Sequence, residues 1–508
     1  MKFEEIDMLA PLIVTGNTAI RFSGISCDSR RIRPGYLFAA VPGWKEDGAK
    51  YVDSALERGA AGVITENSPR FVRGPAVQVT DVRWALALIA SAVNGYPSRK
   101  MDVYSVTGTN GKTTTAWLLR EILTGSGRNT GLFSTVSIEY PGREIPAVRT
   151  TPDACMLQEL LADMLGAGCD SVVMESSSHA LCQSRGAGIP FAGGAFTNLS
   201  RDHLDYHRTM DEYFEAKLLM FKQMAALNPG APAVCCIDGD YGRKMAREIE
   251  KLPLTCITAG FNDNAHLRAS SLTASALNSD FVLNGCGADN LKISTSLAGR
   301  YNVLNIMCAS ALAAAAGVSW RKIAQTVESV CPRWGRLERV SLPGKRISAF
   351  VDYAHTDDAL NNVLSTLREI TEGKLIVVFG CGGDRDISKR PLMGKTCAEL
   401  ADISVVTSDN PRSEEPMKII SEIMSGVSGQ PNVSVCEDRR EAIRKALKMA
   451  ADGDVLLVAG KGHECFQESA GRSVPFDDRA VLKEEAALLQ VSESRKPAQP
   501  TERNAERY

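Results

Sequence analysis

Apolar residues along this chain recur with two alternating periods. Short β-branched or aromatic runs alternate with longer stretches whose apolar positions fall three and four apart, the patterns of buried strands and amphipathic helices. Up to Arg99, strand signals at Leu12–Val14, Tyr36–Val41, Ala61–Ile64 and Ala76–Val79 alternate with helical ones at Tyr51–Arg58 and Val82–Val93. They predict a small α/β domain over 1–99, closed by the turn Asn94-Gly95-Tyr96-Pro97-Ser98. A second domain over 100–332 opens with a strand at Val103, Tyr104 and Val106, and adds Ser171–Met174, Gly193–Phe196 and Ala233–Ile237. Strands alternating with helices predict a parallel sheet there. The more polar run Leu254–Ala298 reads as an antiparallel annex, before helices at Asn302–Ala316 and Trp320–Val330. A third domain over 333–490 carries apolar β runs at Ile347–Val351, Leu375–Phe379, Ile403–Thr407 and Val455–Ala459, which predict a Rossmann-like sheet. Residues 491–508, rich in Ser, Arg, Pro and Gln, read as a disordered tail.

The first strand of the second domain empties into Gly108-Thr109-Asn110-Gly111-Lys112-Thr113-Thr114, and an apolar-periodic helix follows through Trp117, Leu118, Leu119, Ile122 and Leu123. Strand, glycine turn and helix start together hold a nucleotide phosphate. Glycines let backbone N–H groups close on the anion and the helix dipole favours its charge. Lys112 reaches the outer phosphates and the Thr113 hydroxyl can ligate Mg²⁺. The loop departs from the strict pattern in carrying Val106 where the first glycine is expected.

Composition narrows the classes. With 508 residues, 44% hydrophobic and 23% charged, the chain is an ordinary globular protein of about three domains. Lys plus Arg (58) nearly balance Asp plus Glu (60), so no strong field recruits nucleic acid or anionic lipid. The acidic start MKFEEIDMLA lacks a signal-peptide pattern, and no apolar run approaches a membrane span. The 14 cysteines show no C-x-x-C zinc spacing and read as free thiols of a reducing compartment. A cytoplasmic, monomeric protein with no nucleic-acid or membrane partner is the expectation.

Candidate chemistry sits at the ends of the predicted strands. Of six histidines, five (His179, His203, His207, His355 and His463) fall in polar loops after strands, and only His266 does not. Glu175, in Glu175-Ser176-Ser177-Ser178-His179, can hold the Mg²⁺ that bridges nucleotide phosphates. A helix N-cap segment is its plainer reading. The helix Asp211–Met224, opened by the capping pattern Thr209-Met210-Asp211-Glu212, carries Lys217 among Tyr213, Phe214, Ala216 and Leu218. By composition alone Lys217 is a lysine snorkelling past an apolar face. In the third domain, Asp352-Tyr353-Ala354-His355, the Gly380–Asp386 loop, Ser408–Arg412 and Gly460–Glu464 all leave strand ends, which marks a second ligand crevice.

Together these stretches resemble the Mur ligases, the ATP-dependent amino-acid ligases of peptidoglycan precursor synthesis. The likeness spans about residues 20–480. It rests on TGTNGKTT at 107–114, ESSSHAL at 175–181, TNLSRDHLDYH at 197–207, YFEAK at 213–217, GRLE at 335–338, DYAHT at 352–356, FGCGGDRD at 379–386, DNPR at 409–412 and GKGHE at 460–464. The resemblance implies a small N-terminal UDP-binding α/β domain, a central P-loop mononucleotide-binding domain with a parallel sheet, and a C-terminal Rossmann-like domain. It implies that Asn302, Arg336, Asp352, Tyr353 and His355 join the phosphate loop around ATP. It implies that Ser29, Thr150, Thr151, Ser177, Gln183 and Arg185 hold a UDP-muramoyl dipeptide, with Trp44-Lys45-Glu46 at the uridine loop. Catalytic roles fall on Lys112, His203 and Lys217. Lys217 corresponds to a lysine carbamylated by CO₂, which would turn a cation into an anion able to hold a second Mg²⁺ beside His203, in addition to the ion of Thr113 and Glu175.

DNPR is similar to the signature of the member that adds meso-diaminopimelate to UDP-N-acetylmuramoyl-L-Ala-D-Glu. The implied amino-acid pocket is Arg385, Asp409, Asn410, Pro411, Arg412, Gly460 and Glu464. Diaminopimelate differs from lysine by a second carboxylate, which a planar guanidinium on a proline-framed turn can grip bidentately. Two other readings share parts of the pattern. A folate or cyanophycin-type ligase uses the same ATP chemistry, but Asp28-Ser29-Arg30 and DNPR argue against it. An ATP-driven regulatory or motor protein would not need the four loaded loops of the third domain.

Overall fold

Three sheets, one after another along the chain, set where the loops can meet. The computed structural model describes residues 1–43, 46–274, 278–343, 346–427 and 429–494. The first sheet takes β1 (Ile13–Gly16), β2 (Gly24–Ser26), β3 (Tyr36–Ala39), β4 (Gly62–Thr65) and β5 (Ala76–Val79) in the order β1-β5-β4-β3-β2, with only β1 antiparallel. The helix Val82–Val93 packs on it. Its N-cap Asp81 accepts from Arg83 N and Trp84 N, which explains why the helix begins where its apolar period does. β2 has only three residues, too few for a periodic signal, and the sequence reading passes over it. The helix expected over 51–58 is Val52–Glu57, because the preceding turn Gly48–Tyr51 is wound as 3₁₀ under an Asp47 cap.

The central sheet has 11 strands. Its parallel heart is β6 (Asp102–Thr107), β7 (Thr130–Phe133), β10 (Ser171–Glu175), β11 (Gly193–Phe196), β12 (Pro232–Cys236) and β13 (Thr255–Gly260), with β6 between β10 and β11. The hairpin β8 (Ser137–Tyr140) and β9 (Arg143–Pro146) extends one edge. β14 (Leu267–Ala274), β15 (Ser279–Gly285) and β16 (Ala288–Thr295) extend the other. The annex expected over Leu254–Ala298 is therefore corrected. β13 belongs to the parallel heart and β14 pairs parallel to it, so only the last two pairings are antiparallel and all continue one sheet. Apolar side chains fill both faces, one under the helices Lys112–Gly125 and Arg300–Ala315, the other under Ala154–Gly166 and Met210–Leu227.

The third sheet runs β17 (Glu338–Val340), β18 (Ser348–Asp352), β22 (Val455–Ala459), β19 (Leu375–Phe379), β20 (Ile403–Val406) and β21 (Val433–Val435) in that spatial order. All but β17 are parallel, so the four polar loops leave one edge of the sheet, where a parallel sheet binds ligands. The last helix, Asp478–Ser494, packs on the third sheet through Val481, Leu482 and Ala486 and carries the chain four residues into the stretch read as tail. The rest of that stretch lies outside the described residues. All 14 cysteines are free thiols. Among the described residues no helix is long and apolar enough to cross a membrane.

Candidate active site

Glycine geometry shapes the phosphate loop. Gly111 caps the helix Lys112–Gly125 with φ +83°, and a Cβ there would lie 2.2 Å from Asn305 Oδ1. At Gly108, φ is +152° and a Cβ would fall 1.9 Å from Thr197 Oγ1. Both positions demand the absence of a side chain. The loop is tied to the next strand end by Asn110 N donating to Asn198 Oδ1 (2.9 Å) and Thr109 N donating to Asn198 O (2.9 Å). Lys112 folds over the loop, its Nζ donating to Thr109 O (2.8 Å) and Gly108 O (3.1 Å). Burial lowers its pKa, opposed by Glu175 and Asp202.

The third sheet closes over this loop. Arg336 Nη2 donates to Thr113 Oγ1 at 3.0 Å, and its guanidinium stacks on Tyr353, 4.6 Å from the ring centre. Asn110 Nδ2 reaches Asp358 Oδ2 at 2.8 Å. The result is one cavity of about 460 Å³ walled by both domains, which brings together Thr109–Thr114, Asn302, Arg336, Asp352 and His355. Asp352 accepts from Leu337 N (2.6 Å) and Ala354 N (2.7 Å), yet burial outweighs these donors and lifts its pKa to about 6. Burial, with Lys389 nearby, brings His355 down to about 4, so its imidazole is neutral. Asn302 donates from Nδ2 to Ala298 O (2.8 Å) and accepts from Asn305 Nδ2 (3.3 Å).

The metal candidates cluster beside the loop. Glu175 is the last residue of β10, fully buried, and accepts from Thr135 N (2.7 Å) and Thr135 Oγ1 (3.1 Å). Lys217 does not snorkel. It is 1% exposed, and its Nζ donates to Gly108 O at 2.7 Å while lying 4.5 Å from the centre of the Tyr213 ring. Burial, then the charge of Lys112, hold its pKa well below the usual lysine value. A neutral amine is the form that adds CO₂, so the site suits a carbamate. His203 sits at φ +55° with Asp202 against it, and its ring lies 4.9 Å from that of His179. His207 stacks on Tyr213 at 4.9 Å and bonds Ser178 Oγ at 2.9 Å. Thr113 Oγ1 and Glu175 fit Mg²⁺, which takes hard oxygen ligands. Among the described residues no three His, Cys, Asp or Glu side chains gather to hold a metal by themselves, so remaining ligands would come from phosphate and water.

A second cluster adjoins Glu175. Thr150 Oγ1 lies 3.2 Å from Thr135 Oγ1, Thr151 Oγ1 donates to Glu175 O (2.8 Å), and Ser177 N donates to Thr151 Oγ1 (3.2 Å). Arg185 donates to Thr151 O (2.6 Å) and to Gln183 Oε1 (2.8 and 3.1 Å). Burial and the neighbouring Arg149 lower its pKa to about 10. Ser29 lies apart, buried on the turn Ser29–Arg31, which Arg31 ties to Glu159 at 2.9 Å. Glu46 is exposed and accepts from Tyr51 OH; Trp44 and Lys45 lie outside the described residues.

A third cluster occupies the far loops. Asn410 is central: its Nδ2 donates to Glu464 Oε2 (2.7 Å) and its Oδ1 accepts from Lys461 Nζ (2.9 Å) and Glu468 N (3.0 Å). Arg412, with φ +55°, donates from Nη1 to Gly383 O (2.7 Å) and pairs with Glu468 at 3.3 Å. Gly460, at φ +113°, leaves room for Asp409, whose Oδ2 a Cβ would meet at 2.3 Å. Pro411 is buried and Arg385 exposed, with Nη1 on Asp384 O (3.0 Å). The fully buried pair Arg439–Asp478 (2.7 Å) pins the end of β22 through Ala459 O (2.9 Å). Sequence reasoning did not single out Lys461, Asp202 or Arg439. A charged residue inside a glycine-rich turn (Gly460-Lys461-Gly462) was the one signal for Lys461.

Known proteins give the same outline. The chain matches three family models: Mur ligase family, catalytic domain, over 21–93; Mur ligase middle domain over 106–313; and Mur ligase, glutamate ligase domain, over 335–462. A Clostridium tetani protein named UDP-N-acetylmuramoyl-L-alanyl-D-glutamate–2,6-diaminopimelate ligase is 40% identical over 491 residues, covering 95% of this chain and 99% of its own. A Streptomyces coelicolor protein of that name is 41% identical over 490 residues, 95% of each chain. A solved structure under the same name superposes with a TM-score of 0.69 at 31% identity, covering 96% of this chain and 99% of the other. The Thermotoga maritima MurF ligase in complex with ADP shares the fold, with a TM-score of 0.60 at 18% identity over 94% and 99% of the chains.

Proposed function

The chain belongs to the Mur ligase family, and from that premise we propose that it joins meso-diaminopimelate to UDP-N-acetylmuramoyl-L-alanyl-D-glutamate with cleavage of ATP. The observation that carries this reading is the cavity walled by two domains, where Arg336 of the third domain donates to Thr113 of the phosphate loop. A nucleotide held there has its outer phosphate beside Glu175 and the Thr150–Arg185 cluster, with the amino-acid loops on the same side of the third sheet.

A carboxylate of the UDP-dipeptide attacks the γ-phosphorus of ATP, giving an acyl phosphate and ADP. The diaminopimelate amine adds to the acyl carbon, loses a proton, and the intermediate expels phosphate to leave the amide. Lys112 and Arg336 are placed to oppose charge on the transferring group, the main work in phosphoryl transfer. One Mg²⁺, when held by Thr113 and Glu175, and a second, when held by His203 and the carbamate of Lys217, would neutralise phosphate charge. Docking of the third domain excludes water that would otherwise hydrolyse the acyl phosphate. In the amino-acid pocket, Arg412 and Arg385 face the second carboxylate of diaminopimelate, with Asp409, Asn410 and Glu464 for its ammonium. Lysine lacks that carboxylate and forgoes the charge-assisted bonds to it. We take the protein to be a cytoplasmic monomer.

The test is phosphate release from purified protein, ATP and Mg²⁺, with and without the UDP-dipeptide, across diaminopimelate, lysine and ornithine. Release should need both substrates and favour diaminopimelate. Equal release with neither substrate would instead identify an ATP-driven regulatory protein.

A further inference from the structure

One buried lysine of the third domain, whose charge also lowers the pKa of His355, faces the His-rich loop and touches none of the reacting groups above. Lys389 ends the short turn Ile387–Lys389 and is 5% exposed, with its Nζ 3.9 Å from Asp202 Oδ1. Asp202 is itself 6% exposed, accepts from His203 N at 2.9 Å, and lies 3.5 Å from His203 Nε2. His203 holds φ +55°, a left-handed backbone uncommon outside glycine. Asp202 is the group that braces it, through both backbone and ring. Lys389 is in turn held firmly. The next residue, Arg390, is fully buried and clamped by Glu414 (2.8 and 2.9 Å) and Glu422 (2.6 Å), and Glu414 also accepts from Asp384 N at 2.6 Å. The clamp thus joins Lys389 to the Gly382–Asp384 and Arg412–Glu414 loops, which carry the amino-acid pocket.

We propose that Lys389 is a positioning residue: by pairing with Asp202 across the domain boundary it fixes the His203 loop for reaction when the third domain is seated. The inference rests on the ligase reading. The pair is wider than a hydrogen bond, so Lys389 contributes charge at a set place rather than a directed bond, and burial on both sides limits screening. Arginine should substitute in part; methionine keeps the volume and loses the charge.

The test is a double-mutant cycle on the full chain, with K389M, D202N and K389M/D202N, plus K389R, assayed for phosphate and for amide product. K389M should lower kcat about tenfold or more while the KM for ATP stays within about twofold, and K389R should recover most of the loss. The double variant should be no worse than the poorer single by more than about threefold, since both changes break one link. Phosphate released per amide formed should rise in K389M, because a loosely seated domain admits water to the acyl phosphate. A lysine that only supports the fold would reduce both products together. Multiplicative effects, a K389M kcat near wild type, or an unchanged phosphate-to-amide ratio would each overturn the proposal. If K389M fails to fold, K389Q replaces it in the cycle; a folded K389M that no longer binds ATP would also overturn the proposal. A wild-type protein that forms no amide would defeat the ligase reading itself, a separate outcome.

Discussion

Replacing Lys461 with methionine separates the amino-acid pocket from the nucleotide site. Lys461 is fully buried, and its Nζ donates to Asn410 Oδ1 at 2.9 Å and lies 3.3 Å from Glu464 Oε2. Removing one member of a buried ion pair costs about 3–5 kcal/mol, because the other charge is left uncompensated. Two features reduce this. Glu464 keeps its 2.7 Å bond from Asn410 Nδ2, and burial with Asp409 already holds its carboxyl above the usual range, so it can take up a proton. The expected loss is therefore about 2–3 kcal/mol in urea unfolding. Asn410 retains only Glu468 N on its Oδ1, so the loop bearing Arg412 loses its brace. The KM for diaminopimelate should rise about 10- to 100-fold, or about 1.4–2.8 kcal/mol, with that for ATP little changed. K461M/E464Q removes the stranded carboxylate and should recover most of the stability but not the KM. A K461M protein as stable as wild type, or one whose KM for ATP rises as much as that for diaminopimelate, would refute the reasoning.

Asp352, raised to about 6, should impose an acid limb on kcat/KM for ATP: as pH falls through that value the carboxylate facing Leu337 N and Ala354 N is lost. Rate measurements on D352N should show the limb abolished. For stability the sign reverses, since a folded pKa above the ordinary 3.8 means a contribution fully present below 3.8 and lost as pH rises through about 6; urea midpoints against pH for wild type and D352N read it directly. Lys217→Ala should be nearly inactive and regain activity with added short carboxylic acids, assayed by phosphate release; full activity without them would remove the carbamate. Arg412→Ala should raise the KM for diaminopimelate strongly and narrow its advantage over lysine; an unchanged preference would place selectivity elsewhere.

What the sequence revealed followed the range of the physics involved. Leu375–Phe379 and Val455–Ala459 are fully buried parallel strands, and a continuous apolar run announces them to the residue. The phosphate loop was equally legible, since strand, glycines and helix start are contiguous. Lys217 was not, because an apolar helical neighbourhood looks the same whether the ammonium escapes to water or turns inward. Its partner, Gly108 O, stands 109 residues away in the chain. Lys461, Asp202 and Lys389 share that difficulty. Each has a partner that folding supplies, Asn410 for the first and the opposite domain for the other two. The parallel entry of β14 was hidden too, because polar alternation marks a half-exposed strand without giving its direction.

The central claim is that this centre activates a carboxylate by phosphorylating it. The direct measurement is the fate of heavy oxygen placed in the reacting carboxylate of the UDP-dipeptide, followed by mass spectrometry of the phosphate formed with ATP and diaminopimelate. Amine attack on an acyl phosphate leaves one labelled oxygen on each phosphate released. Amide formed alongside unlabelled phosphate would contradict the account.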